Sequence, residues 1–241
     1  RDAGHDINSG HHNTALGHES LTKMQSSRAC TALGFQALEK AYANSNTGVG
    51  YKAGENITSG TNNIVLGKES GTSGSPSGNL TSGSNTICLG DNNIGALYCT
   101  QSSISTSDRR DKADITNFTD GLDFIKKMQP VTYKWDRRSW YLPRDEDGEV
   151  TDDDITKITP DGSKKENITH VGFIAQDVET LEKEIGFASD NTNRLLTNLT
   201  EDGSSYGMKY DRLVTILVNS VKELDTKLAA AEARIKTLED A

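Results

Sequence analysis

Ser107 and Lys112 are the residues of this chain whose types and spacing best suit chemistry. They bracket the hexamer Ser107-Asp108-Arg109-Arg110-Asp111-Lys112. A lysine amine can serve as the base for a serine hydroxyl once burial or nearby like charge lowers its pKa. Arg109 and Arg110 supply neighbouring cations. A five-residue offset separates two side chains by about 140° on a helix, so this pair must meet through a turn or across subunits. Read alone, the hexamer is also an ordinary polar linker.

The elements around it change character at this point. Before it, residues 1–97 repeat. Asn13-Thr14-Ala15-Leu16-Gly17 recurs as Cys30-Thr31-Ala32-Leu33-Gly34, Asn46-Thr47-Gly48-Val49-Gly50, Asn63-Ile64-Val65-Leu66-Gly67 and Asn85-Thr86-Ile87-Cys88-Leu89-Gly90. The closing glycines are 17, 16, 17 and 23 residues apart. A period this short predicts a solenoid-like array with one coil per repeat. Each coil carries a short β-prone piece ending in Gly, then a second piece such as His18-Glu19-Ser20-Leu21. With two or three apolar side chains per coil, one chain would make a very thin core. Three chains around an axis would make a sufficient one. The long fourth interval, with Gly71 to Gly78, predicts an inserted loop.

Residues 98–106 form a connector. Residues 107–241 then read as an α+β domain. Phe118, Leu122, Ile125 and Met128 predict a helix over 118–129, ended by Pro130. Val131 to Trp135 alternates as a strand. Residues 136–167 are acidic and punctuated by Gly and Pro, which predicts a surface excursion. Its run Asp152-Asp153-Asp154 lacks EF-hand spacing and is expected to be a solvated loop. His170 to Ala175 predicts a strand and Gln176 to Ile185 a helix. Leu195 to Leu199 and Tyr206 to Tyr210 flank Glu201-Asp202-Gly203-Ser204 as a hairpin.

A heptad helix over 211–240 closes the chain. Val214, Val221, Leu228 and Ile235 form one apolar series, and Leu217, Leu224, Ala231 and Leu238 the other. Four uninterrupted heptads predict a coiled coil or a helix laid along a partner. The choice of residues does not fix the strand number.

Three downstream segments accompany the hexamer in order: Gly121-Leu122-Asp123 through Trp135, His170-Val171-Gly172-Phe173-Ile174-Ala175-Gln176-Asp177-Val178-Glu179, and Lys209-Tyr210-Asp211-Arg212-Leu213-Val214. Over residues 107–241 this order resembles the C-terminal intramolecular chaperone autoprotease of phage tail spikes and fibres. That family includes endosialidase tailspikes, the L-shaped tail fibre, neck appendage proteins and the myelin regulatory factor. The repeats look like adhesin-head and phage-fibre repeats. The resemblance implies a trimeric β-roll or β-helix-like fibre followed by a chaperone that trimerises through its coiled-coil helix. That chaperone templates the upstream fibre and cuts itself off at Thr106–Ser107. Ser107 would be the nucleophile and Lys112 the base, with Asp108 and Arg109 supporting. Attack by Ser107 on the preceding carbonyl as an N→O acyl shift and direct dyad hydrolysis both remain open. The alternative function is a non-cleaving, receptor-binding fibre whose C-terminal domain is a trimerisation clamp.

The resemblance also sets the partners: a homotrimer, and a host-cell surface receptor or glycan for the mature fibre. The protein would be made in the host cytoplasm, with the fibre in the virion and the chaperone fragment released. No cofactor and no metal are expected. A net charge of -9 argues against nucleic acid as a partner. No apolar run reaches transmembrane length, so membrane insertion is not expected, and no signal peptide opens the chain. Arg1 in place of Met implies a fragment of a longer protein. Cys30, Cys88 and Cys99 are odd in number and read as free thiols. His5, His11, His12 and His18 could ligate a metal on a three-fold axis, but exposure is the plainer reading. The Asn-x-Thr sequons, such as Asn56-Ile57-Thr58, follow from an Asn- and Thr-rich composition. Trp135, Trp140 and Tyr141 are expected to pack rather than bind sugar.

Overall fold

The computed structural model describes residues 2–99, 105–146 and 150–240. Five short strands form one parallel sheet in sequence order: β1 (Thr14–Leu16), β2 (Thr31–Leu33), β3 (Thr47–Val49), β4 (Ile64–Leu66) and β5 (Ile87–Leu89). Each strand pairs in register with the next, as in Ala15↔Ala32 and Val65↔Cys88. The repeat array is therefore a β-solenoid.

Its register follows from side-chain size. The middle residue of each strand points inward, and from β2 onward all are buried: Ala32, Gly48, Val65 and Cys88. Leu21, Met24, Leu38 and Ile57 from the second pieces complete the core. One chain thus closes a narrow core of its own, because small residues at the strand centres let the second pieces pack directly behind them. The flanking residues point outward. Leu16 and Ile87 are about two-thirds exposed, and Ile64, Leu66 and Leu89 are also exposed.

The closing glycines have a steric cause. Gly17, Gly34 and Gly50 adopt φ of +130°, +137° and +127°. A Cβ on any of them would run into the backbone of the closing glycine in the next coil. Asparagines just before the strands tie coils together. Asn46 donates through its amide to Gly60 O (2.7 Å) and accepts from Asn63 N–H (3.0 Å). Asn63 repeats the pattern with Gly83 O and Thr86 N–H. Cys30 sits in the same position of its coil, where its thiol donates to Ala43 O. His18, Phe35 and Tyr51, each following a closing glycine, stack as a ladder at 5.4 Å spacing.

The chain divides into two compact units. One comprises Arg1–Leu97, Lys134–His170 and Leu199–Tyr206; the other comprises Tyr98–Tyr133, Val171–Asn198 and Gly207–Ala241. The solenoid thus shares its unit with two segments from beyond residue 106. The excursion over 136–167 is not simply solvated. It holds 3-10 turns at Arg138–Tyr141 and Ile155–Lys157, with Ser139, Leu142 and Ile155 buried. Arg144 forms an ion pair with the nearly buried Glu69 at 3.2 Å. Asp152 and Asp154 flank Lys157 Nζ at 3.1 and 3.4 Å, so the acidic run carries its own cation. Arg137 lies 3.8 Å from the centre of the Trp135 ring and covers one face of it.

The second unit is built on α1 (Leu122–Lys127), α2 (Ala175–Glu184) and α3 (Leu213–Glu239). The strands β6 (Val131–Tyr133) and β7 (His170–Gly172) pair, as do β8 (Thr197–Leu199) and β9 (Tyr206–Met208). α1 is shorter than the apolar spacing predicts. Gly121 caps its start, and at its end Met128 N–H closes on Ile125 O before the chain turns extended ahead of Pro130. Phe124, Met128, Val178, Leu196, Leu213 and Ile216 form its core.

The long helix packs on the body with a face other than the heptad face. Leu213, Ile216 and Ser220 are buried, and Asn219 donates to Phe118 O (2.8 Å). Val214, Leu217, Val221, Leu224, Leu228, Ala231, Ile235 and Leu238 are all exposed. The eight heptad residues therefore form a continuous apolar stripe without cover in the single chain.

Among the described residues no helix is long and apolar enough to cross a membrane, and no cluster of His, Cys, Asp or Glu could hold a metal. Cys30 and Cys88 are buried free thiols, and Cys99 is exposed.

Candidate functional site

Asp108 organises the hexamer. Its carboxylate accepts Arg110 N–H at 2.8 Å and so caps a 3-10 turn over Arg109–Asp111. The Arg110 guanidinium folds back on the same carboxylate, with Arg110 Nη2 2.6 Å from Asp108 Oδ2. These hydrogen bonds, above all the one from the Arg110 side chain, hold Asp108 below the usual carboxylate range. The turn closes when Lys112 N–H donates to Arg109 O at 3.2 Å.

That turn reverses the chain and brings Lys112 Nζ within 2.7 Å of Ser107 Oγ. Of the two routes open to the pair, a turn within one chain is the one the structure contains. Asp108 thus acts through the backbone, as the residue that shapes the turn. Arg110 is neutralised by Asp108, so it is not the free cation beside Lys112 that the sequence suggests. Arg109 contributes its carbonyl to the turn, and its side chain is exposed. Thr106, Ser107 and Lys112 are exposed as well. Residues 100–104 of the connector lie outside the described residues.

Such a pair can do one kind of chemistry. A serine that follows a peptide bond can attack the carbonyl before it, provided a neighbouring group takes the hydroxyl proton. Burial is the missing ingredient, since it is burial that drives a lysine to give up its own proton.

The C-terminal segments hold their part of the fold through buried polar contacts that periodicity does not reveal. Glu182 is fully buried and accepts from the Leu196 and Thr197 amides and the Thr197 hydroxyl. Arg194 pairs with Glu179 at 2.6 Å, and Lys183 approaches Glu179 at 3.2 Å. Burial pushes the Glu179 carboxyl up, but its bonds to Arg194 and Lys183 outweigh this and hold it below its ordinary range. The segment Lys209-Tyr210-Asp211-Arg212 anchors the start of α3. Lys209 Nζ donates to Arg194 O at 3.1 Å, and Arg212 Nη1 to Leu195 O at 3.0 Å. The signal available in the sequence was the order of these segments rather than any one contact.

Residues 107–187 match the family model described as Peptidase_S74, chaperone of endosialidase. The match starts on Ser107 and covers about a third of the chain. The stretch that follows the β-solenoid in sequence is therefore similar to the chaperone domain of that family. No curated protein and no solved structure matches it.

Proposed function

We propose that residues 107–241 trimerise, template the folding of a phage-type tail fibre built from the upstream repeats, and then release themselves by cutting Thr106–Ser107. The observation that carries the cleavage is the 2.7 Å approach of Lys112 Nζ to Ser107 Oγ at the first residue of the chaperone match. Ser107 Oγ attacks the Thr106 carbonyl carbon and its proton passes to Lys112 Nζ. The Thr106–Ser107 C–N bond breaks, and the Ser107 amine leaves with a proton. Water then hydrolyses the ester, freeing the Thr106 carboxylate and restoring the hydroxyl. Asp108 is a positioning residue, and Arg109 supports the turn.

The exposed heptad stripe on α3 supports a trimer, since eight apolar positions in one line call for partner helices. The outward Leu and Ile residues of the solenoid sheet support the same assembly for the fibre. The exposure of Ser107 and Lys112 fits cleavage that waits for assembly to bury them. It also favours the second reading, a non-cleaving fibre with a C-terminal clamp. In either reading the mature fibre belongs to the virion and meets a host-cell receptor or glycan, after synthesis in the host cytoplasm.

A denaturing gel of purified protein separates the two. Self-cleavage gives fragments 1–106 and 107–241, and Ser107→Ala gives one band. A single band from the unaltered, assembled chain would sink the cleavage reading.

A further inference from the structure

The last coil of the solenoid does not end in solvent at its Thr81-Ser82-Gly83 turn. Within the array each such turn hands its amides to the next coil: Thr58 N–H donates to Thr81 O at 2.8 Å, and Gly60 N–H to the same oxygen at 3.4 Å. Thr81 and Gly83 are the equivalents of Thr58 and Gly60 one coil later, and among the described residues no further turn of the array stacks on them.

Glu201 fills that place. Its carboxylate accepts the amides of Thr81 (3.3 Å), Ser82 (2.9 Å) and Gly83 (2.7 Å), and the Ser82 hydroxyl. Asp202, beside it, accepts Asn79 N–H at 2.7 Å. Asp202 is itself held by the Thr200 hydroxyl (2.6 Å) and Ser204 N–H (2.9 Å). Asp153 accepts from the Asn79 side-chain Nδ2 at 3.3 Å.

The steric record makes the same substitution. A Cβ on Gly60 would collide with Gly83 O, and a Cβ on Gly83 would lie 2.6 Å from Glu201 Oε2. A Cβ on Gly78 would lie 2.7 Å from Asp202 Oδ1. The Glu201 carboxylate therefore stands in for backbone oxygens of a following coil, the counterpart of Thr81 O by its hydrogen bonds and of Gly83 O by its steric place, and glycines make room for it.

We infer that Glu201 and Asp202 form a docking site for the terminal coil, a carbonyl surrogate that recognises a row of backbone amides and sets the register from which the solenoid stacks. The inference rests on the chaperone reading and gives it a contact. Neighbouring coils look alike, so something outside the array must mark its end. Only a turn with three free consecutive amides, a glycine at the third and another five residues earlier fits both carboxylates at once.

Charge matters to this contact. Burial pushes both carboxyls up, but the hydrogen bonds outweigh it, the Ser82 hydroxyl first for Glu201 and the Thr200 hydroxyl first for Asp202. Both groups are held below the usual range. The contact is then complete above the unfolded carboxylate pKa of about 4 and weakens as pH falls through the depressed folded values.

The test uses the full chain made uncuttable by Ser107→Ala, so it stands apart from the cleavage reading. Hydrogen exchange is followed at the Thr81, Ser82 and Gly83 amides, with Thr58 and Gly60 as internal references. Glu201→Ala is expected to speed exchange at the three amides by roughly tenfold or more and leave the references unchanged. Glu201→Gln, which keeps an acceptor without the charge, should fall between. Refolding from denaturant should give several times less ordered solenoid in Glu201→Ala. Unchanged exchange at the three amides would overturn the docking site. Faster exchange with unchanged refolding would overturn its role in setting register.

Discussion

Lys112 Nζ donates to Ser107 Oγ across 2.7 Å because Asp108 caps the 3-10 turn that separates them. Removing the cap should loosen the pair without removing either member. Asp108→Ala is expected to slow cleavage roughly fivefold, in line with the ~1 kcal/mol a capping side chain contributes. Asp108→Asn keeps an acceptor and should stay near the unaltered rate. Lys112→Arg should abolish cleavage, since a guanidinium does not lose its proton near neutral pH. Time courses on denaturing gels give the rates. Equal rates for Asp108→Ala and the unaltered chain would show the cap to be idle.

The two faces of α3 should separate folding from assembly. Leu217→Asp with Leu224→Asp places carboxylates on the exposed stripe and leaves Leu213 and Ile216 in the body. The chain is expected to fold, stay monomeric by light scattering, and remain uncut. Ile216→Ala should instead cost about 2–5 kcal/mol of stability, as buried aliphatic truncations do. Cleavage by a monomer of the first variant would show that the dyad needs no partner.

Much of this was legible in the sequence, and the exceptions share a cause. Periodicity carried the strand positions, because Ala32 and Val65 must alternate with outward neighbours on a sheet. It also carried the heptad stripe on α3. It could not show that the stripe faces away from the body, because Leu213 and Ile216 lie off the heptad series. The hexamer pointed to Ser107 and Lys112 as a candidate pair, while the turn that joins them depends on the Asp108 carboxylate capping Arg110 N–H. Glu182, Glu179 and Arg194 were invisible, since long-range pairing leaves no local pattern. Glu201 read only as part of a hairpin turn, as its partners lie about 120 residues away in sequence.

Closing glycines should be intolerant of any side chain. Gly34→Ala places a Cβ against Gly50 and forces a left-handed φ of +137° on alanine. The expected cost exceeds about 2 kcal/mol, since strain and clash add. Gly95→Ala, where a Cβ meets nothing within 4 Å, is the control and should be nearly silent. Thermal melts of the two variants give the comparison. Equal melting temperatures would mean that the coils slide apart at little cost.

Acid should loosen the second unit through Glu179. Its folded pKa lies below the unfolded value, so the contribution is complete above about pH 4.3 and fades as pH falls through the folded pKa. Arg194→Met takes from the buried Glu179 the cation that approaches it at 2.6 Å and should cost about 2–3 kcal/mol at neutral pH. The penalty should shrink as pH falls toward the depressed folded pKa of Glu179. Denaturant melts at pH 7 and near pH 3.5 measure it. A penalty of the same size at both would show that packing, rather than charge, is what Arg194 contributes.

Release after folding should leave an asymmetry between two routes to the same residues. Each coil closes around a few small side chains, and the apolar flanks Leu16, Ile87 and Leu89 await cover. A chain that must find two partners in register has little local guidance, because one coil resembles the next. Held side by side through their C-terminal helices, three chains would replace a three-body search with near-intramolecular zipping. In the proposed function, cutting at Thr106 would then remove the template, and with it the path back from the unfolded chain. Residues 1–106 expressed alone are therefore expected to aggregate. The same residues released by cleavage are expected to form a heat-resistant trimer that does not refold after full denaturation. Size-exclusion chromatography with light scattering, before and after a denaturation cycle, compares the two preparations. A stable trimer in good yield from residues 1–106 alone would reduce the C-terminal domain to a removable cap.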